Sequence, residues 1–233
     1  MKKKLIIVTV LCLMIPLSAF PQKSLGLSSG VIYSGVLSKG DTGISRLPIL
    51  RYTEELTGFY DFNKRWFLTF GLTIEKKGFK AEFYTRDAFG QKVDGPFYVS
   101  QELEYLTVPL LLNIRSKGKI QFYTGLGAHL SFLLKATSVE PLLEPLYDQN
   151  GVPLFEWKVI GETRKPVTEN YKLFDISFAW QGGIIYPVAT NLMLNFNLSL
   201  THGVIPITKK EKFQNVKYYS RSGGAQLGVL YTW

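Results

Sequence analysis

At 233 residues, with 46% hydrophobic side chains and a mean hydropathy of +0.06, the chain has the length of one domain and is too polar to cross a membrane with helices. One cysteine and two histidines leave no disulfide framework and no metal site of ordinary spacing. The net charge of +9 is scattered, with pairs such as Lys76-Lys77, Arg164-Lys165 and Lys209-Lys210 close to loops, so a nucleic-acid partner is not expected.

Residues 1–22 read as a secretory signal peptide. Lys2, Lys3 and Lys4 form the positive region, Leu5–Ile15 the apolar region, and Ser18-Ala19-Phe20-Pro21-Gln22 the small residues near a cleavage point. The alternative, a membrane anchor, needs a longer apolar run. Cys12 lies within that run, with no small-residue box before it, so a lipoprotein signal is not expected. Without the leader the chain holds no cysteine and a net charge of about +6.

Residues 23–233 alternate with period two, which is a strand signal. In the first strand, Leu25–Leu37, Leu25, Leu27, Val31, Tyr33 and Leu37 alternate with Gly26, Ser28, Gly30 and Ser34. A Gly/Asp-rich loop, Ser38–Pro48, follows. The second strand covers Leu50–Phe62, with Leu56, Gly58, Tyr60 and Phe62 opposite Thr53, Glu55, Thr57 and Asp61. After the tight turn Asn63-Lys64-Arg65, Trp66, Leu68, Phe70, Leu72 and Ile74 face one way. Phe67, Thr69, Gly71, Thr73, Glu75 and Lys77 face the other.

The excursion Gly78–Ser100 carries strand extensions at Ala81–Thr85 and Phe97–Gln101. The fourth strand, about Glu102–Arg115, sends Leu106, Val108, Leu110, Leu112 and Ile114 out and Tyr105, Thr107, Pro109, Leu111 and Asn113 in. Pro109 lacks a ladder donor and demands a bulge or local break. After Ser116-Lys117-Gly118, the fifth strand, Lys119–Lys135, turns Gln121, Tyr123, Gly125, Gly127, His129 and Ser131 inward. The longest loop, Ala136–Asn170, contains a hairpin signal at Asp148-Gln149-Asn150-Gly151.

Phe174–Leu200 is the clearest stretch. Phe174, Ile176, Phe178, Trp180, Ile184 and Tyr186 share one parity, and Asp175, Ser177, Ala179, Gln181 and Gly183 the other. Beyond a turn at Pro187-Val188-Ala189-Thr190, the leucines and Phe196 alternate with Asn191, Met193, Asn195, Asn197 and Ser199. His202 reads as a loop residue at the rim. A loop Gly203–Ser222 leads to the last strand, Gly223–Trp233, with Ala225, Leu227, Val229, Tyr231 and Trp233 out and Gln226 in.

The count is eight strands, with connections alternating long and short, and aromatic residues gathered near strand ends. A membrane barrel faces lipid with its apolar side and its lumen with its polar side, and it segregates short periplasmic turns from long external loops. The expected fold is therefore an all-β, eight-stranded antiparallel transmembrane barrel, an up-and-down meander. A soluble lipocalin-like barrel is the alternative, but its interior should be greasy.

Three segments also carry a resemblance. Gly71–Lys80 (GLTIEKKGFK), Leu103–Asn113 (LEYLTVPLLLN) and Gly125–Ala136 (GLGAHLSFLLKA) resemble the PorT-like outer-membrane barrels of Bacteroidetes-type bacteria. That family pairs a strand ending in Lys-Gly with a Tyr-Leu-x-x-Pro strand and a Gly-rich strand, and Phe174-Asp175 fits the same pattern. The resemblance implies a Gram-negative outer-membrane location, and its namesake implies a role in protein secretion. It carries no catalytic residue.

Eight strands leave an interior filled by side chains. Glu75, Lys77, His129, Asp175, Gln181, Asn195, Asn197 and Gln226 are therefore expected to form a lumenal polar plug of ion pairs and hydrogen bonds, with no open pore. A Ser-His-acid hydrolase built on His129 and Ser131 is the catalytic alternative; no enzyme activity, cofactor or metal is expected. Expected partners are outer-membrane lipid or lipopolysaccharide, the barrel-assembly machinery, and envelope or secretion-system proteins, with the barrel a monomer. Tyr231 and Trp233 are expected to serve as the assembly signal, read while the last strand is still an unpaired edge.

Overall fold

A computed structural model describes residues 23–39, 45–84, 97–147, 153–209 and 216–233. The leader, the tip at Asp87–Gly95 and the Asp148–Gly151 turn lie outside the described residues. Nine antiparallel strands appear among the described ones: β1 (Lys23–Lys39), β2 (Arg46–Asp61), β3 (Trp66–Phe83), β4 (Phe97–Arg115), β5 (Gln121–Tyr147), β6 (Pro153–Pro166), β7 (Phe174–Ala189), β8 (Leu192–Gly203) and β9 (Lys217–Thr232). Eight close a ring. Neighbours in sequence pair in turn, β5 pairs with β7, and β9 returns to β1. The ninth strand, β6, stays outside the ring and pairs with the far half of β5 as a projecting hairpin.

Alternation makes the wall. Outward positions such as Leu27, Phe122, Phe178, Leu200 and Leu227 are exposed around the ring, while their neighbours in sequence are buried or half-buried. Exposure here means lipid, because a closed ring satisfies its backbone without water. Ring closure also removes every edge from the wall. The connections Phe62–Arg65, Ser116–Ile120 and Thr190–Asn191 are short, and those at the opposite end are long. The short end is the periplasmic one in barrels of this kind.

Several boundaries differ from the sequence reading. Strand β5 continues twelve residues beyond Lys135, to Tyr147, because the hairpin with β6 extends its ladder. Strand β9 starts at Lys217, since β1 supplies partners as far out as Lys39. The β7–β8 turn is Thr190–Asn191, displaced from Pro187–Thr190 by a bulge between Pro187 and Ala189. His202 belongs to β8 and not to a loop: it pairs with Phe178 and Arg221 and faces outward.

Pro109 is accommodated by a break, not a bulge. Register with β3 is the same on either side of it, Phe70 with Leu110 and Thr73 with Thr107, and the ladder pairs between them drop out. The bulge in this region lies farther out, at Glu104/Tyr105 against β5, where Leu134 is left unmatched.

Candidate functional site

The interior is built in layers, each from inward positions of several strands. At the periplasmic end Phe59, Phe67, Tyr123, Ile185 and Leu230 form an apolar layer, with Met193 against it. Phe59 and Phe67 have ring centroids 5.0 Å apart, and Phe67 and Tyr123 5.6 Å, in tilted and edge contacts that aromatic pairs favour. The Tyr123 hydroxyl donates to Asn195 Oδ1 at 3.0 Å, joining this layer to the polar zone.

Above it, Gln181 Nε2 donates to Asn113 Oδ1 at 2.6 Å and to Thr69 Oγ1 at 3.0 Å. Asn113 Nδ2 also donates to Thr69, at 2.9 Å. Glycine makes room here: a Cβ on Gly125 would strike the Asn113 amide. On the neighbouring wall Asn197 Nδ2 donates to Gln226 Oε1 at 3.3 Å.

The charged layer lies next. Lys77 Nζ is 2.6 Å from Glu75 Oε2, and both side chains are about 95% buried. Thr107 Oγ1 donates to the same carboxylate at 2.9 Å and shares a hydrogen bond with Ser131 Oγ. His129 Nδ1 lies 3.8 Å from Glu75 Oε1. The Lys77 ammonium also sits 5.7 Å from the Tyr105 ring centre. Asp175 stands apart with its own partner, accepting from Ser220 Oγ at 2.6 Å.

The external mouth is closed by a second apolar cluster: Val36, Phe79, Leu103, Tyr105, Leu133, Ala136, Tyr171, Ile207 and Tyr218. Two of these, Tyr171 and Ile207, come from connections and not from strands. A single 3-10 turn at Thr168–Asn170 delivers Tyr171. The β8–β9 connection is stitched to it by Lys172 N–H to Ile207 C=O (2.7 Å) and a bridge between Tyr171 and Thr208, and to β9 by Ile207 N–H to Tyr218 C=O (2.8 Å). The Tyr171 hydroxyl donates to Gln101 at 3.2 Å. The described residues of the two connections thus fold inward as a lid.

Beyond the mouth stands the β5–β6 hairpin, with Leu142, Trp157, Val159 and Ile160 exposed. Its base is tied to the wall by Arg164–Glu102 (3.4 Å), beside Arg51–Glu102 (2.7 Å). Beside it, Lys165 meets Glu140 at 2.7 Å. That hydrogen bond from Lys165 holds the Glu140 carboxyl below its ordinary range.

All eight residues named for a lumenal plug are buried in the interior, but not as one cluster. Glu75, Lys77 and His129 meet; Asn197 meets Gln226; Gln181, Asn195 and Asp175 each bond elsewhere. The sequence reading missed Ser220 and Ile207, assigned to the loop Gly203–Ser222, and Tyr171, which falls between the loop Ala136–Asn170 and the strand from Phe174. Tyr231 and Trp233 are exposed, with stacked rings 6.2 Å apart, and Tyr231 lies beside Leu25 of β1. Among the described residues no His/Cys/Asp/Glu group could hold a metal ion.

The chain matches the outer membrane protein beta-barrel domain family over residues 21–209, and it belongs to that family. It is a protein of the Gram-negative outer membrane. No curated protein matches it. Among solved structures it is similar to Neisserial surface protein A, at 13% identity over 89% of this chain and 96% of that one, with a TM-score of 0.44. OprG from Pseudomonas aeruginosa is similar at 12% identity over 90% and 95%, TM-score 0.45. The outer membrane protease OmpT from Escherichia coli is similar at 9% identity over 92% and 98%, TM-score 0.40. Likenesses this distant say nothing of activity.

Proposed function

We propose that the protein is a closed barrel of structural or binding type, which presents its external hairpin and loops to envelope or surface partners and passes no solute. The observation that carries this reading is the double closure of the lumen, by Phe59, Phe67 and Tyr123 below and by Tyr171, Ile207 and Tyr218 above. In planar bilayers the reconstituted barrel should give no large stable conductance. A steady conductance of porin size overturns the proposal.

Absence of catalysis is part of the same reading. A Ser-His-acid site needs a nucleophile within hydrogen-bond reach of its base and open to substrate. Here the Ser131 hydroxyl is engaged with Thr107, His129 stands beside Glu75, and Asp175 holds Ser220, all beneath the lid. Labelling of Ser131 by a fluorophosphonate probe would contradict this.

A secretion accessory is the second reading, and it rests on the PorT-like motifs. Their residues have structural duties in this chain. Gly78 lets β3 approach the Gln101 carbonyl, Tyr105 fills the lid cluster, and Pro109 sits at the ladder break. Mild crosslinking followed by pull-down separates the two readings: secretion components favour the second, surface or envelope ligands the first. The part of Tyr231 and Trp233 in assembly is a further proposal. Replacing both by Ser should lower the outer-membrane yield of folded barrel while export continues.

A further inference from the structure

The periplasmic rim gathers charge at two of its three short turns. The turn β2–β3 with its flanks carries Asp61, Lys64 and Arg65, and the turn β4–β5 carries Arg115, Lys117 and Lys119. Five cations therefore face one acid, and Asp61 is already paired with Arg115 at 2.6 Å. The third short turn, Thr190–Asn191, and its flanks from Tyr186 to Leu192 carry no charge.

The two basic turns are held together. Arg115 N–H donates to the Arg65 carbonyl at 2.8 Å, and Arg115 Nε to the Lys64 carbonyl at 3.4 Å. In the second turn Phe122 N–H donates to Ser116 Oγ at 2.9 Å, and Gly118 takes a φ of +126° that other residues rarely adopt. Between the turns lies an open cleft of about 640 Å³, lined by Arg65, Arg115 and Lys117 and by the exposed apolar side chains Ile114 and Phe122.

Ile114 and Phe122 share the lipid-facing parity of the wall. Trp66, the ladder partner of Ile114, is exposed beside them, as aromatic residues at a membrane interface are. The cleft thus has an apolar wall pointing toward the bilayer core and a cationic lip pointing away from it. A free anion needs only the lip, and an apolar peptide only the wall. A lipid with an anionic headgroup needs both, in this order along the barrel axis.

We infer that this cleft is a binding site for an anionic glycerophospholipid of the periplasmic leaflet, with the phosphate on Arg65 and Lys117 and an acyl chain along Ile114 and Phe122. Arg115 is a positioning residue, because its guanidinium is committed to Asp61. The site also biases the tilt and rotation of the barrel, since one flank of the rim is drawn toward anionic headgroups and the other is not.

The test uses the folded full-length barrel in nanodiscs of mixed phosphatidylglycerol and phosphatidylcholine, with lipid retention read by native mass spectrometry after transfer to detergent. Wild type should retain one phosphatidylglycerol in preference to phosphatidylcholine, and added salt should weaken that preference. The double variant R65Q/K117Q should lose about tenfold or more of it. A control pair at the opposite pole, K39Q/K217Q, should keep it. Equal retention of the two lipids by wild type overturns the inference, whatever the variants do. Unchanged preference in a folded R65Q/K117Q barrel also overturns it. Heat-modifiable mobility establishes that each variant is folded.

Discussion

The two ends of the lumen are closed by different means. At the periplasmic end every sealing side chain belongs to the wall: Phe59 to β2, Phe67 to β3, Tyr123 to β5, Ile185 to β7 and Leu230 to β9. At the external end the wall supplies part of the seal, and Tyr171 and Ile207 arrive from connections. A seal made of strand residues cannot open without disturbing the ladder. A seal that includes loop residues can open by local unfolding, whose free energy is set by a few hydrogen bonds and one apolar contact patch. The lower closure is therefore part of the barrel's stability, and the upper one is a separable lid. The separable closure is the one at the external end, beside the projecting hairpin.

The largest effect is expected between the two ends. Lys77→Met leaves the Glu75 carboxylate buried without its cation, and breaking one side of such a pair costs about 3–5 kcal/mol. Urea unfolding in lipid vesicles should show the loss. The double change Lys77→Met with Glu75→Leu should recover most of it, because two apolar groups of similar volume leave no orphan charge. If the double variant is less stable than the single one, the pair is not what matters at this level.

Next come the ends themselves. Phe67→Ala removes a fully buried ring from the strand-built seal and should cost about 3–4 kcal/mol. Ile207→Ala removes a side chain equally buried, but from a connection able to relax, and should cost about 2 kcal/mol. A second readout sharpens the contrast. Residues 23–233 hold no cysteine, so in a barrel refolded from those residues Ala136→Cys places a unique thiol beneath the lid, where Ala136 is wholly buried. A membrane-impermeant maleimide added outside should label it about thirtyfold faster when Ile207 is also Ala, since loss of about 2 kcal/mol of lid closure is about a thirtyfold rise in open population. Phe67→Ala should leave the labelling rate unchanged. Equal acceleration by both changes would mean that the two seals open as one.

The same contrast explains what was legible in the sequence. Wall residues repeat with period two, so the inward placement of Glu75, Lys77, His129, Gln181, Asn195 and Asn197 could be read by parity alone, as could the eight strands of the ring. Bulges defeat parity. Beyond the unmatched Leu134, burial switches from Ser131 and Leu133 to Ala136 and Ser138, and no local signal marks the change. The extensions of β3 and β4 into Gly78–Ser100 were legible, but the strand ends at Lys217 and Tyr147 were short by six and twelve residues. Polar residues there look like loop, although a neighbouring strand supplies the hydrogen bonds. The lid had no signal at all. Tyr171 and Ile207 lie in segments without periodicity, and only the closed mouth of the barrel gives them something to bury against.

The smallest effect should appear at the exposed base of the hairpin, outside both seals. Glu140 and Lys165 are partly exposed, so their pair is worth little and is screened by salt. Its sign is nonetheless definite. The Lys165 hydrogen bond lowers the Glu140 carboxyl below its ordinary value of 4.5, so the pair stabilises the hairpin above that pH and stops doing so as pH falls through the lowered value. Amide exchange of β6, corrected for its intrinsic pH dependence, should therefore accelerate by less than about fivefold on acidification below pH 4.5. Amides of β3 and β7 in the wall should show no step in the same window that tracks Glu140. In Glu140→Gln the β6 step should vanish, because the side chain no longer titrates. A step of equal size in that variant would assign the acid sensitivity of the hairpin to other groups and leave the Glu140–Lys165 pair without a measurable part in holding β6 to β5.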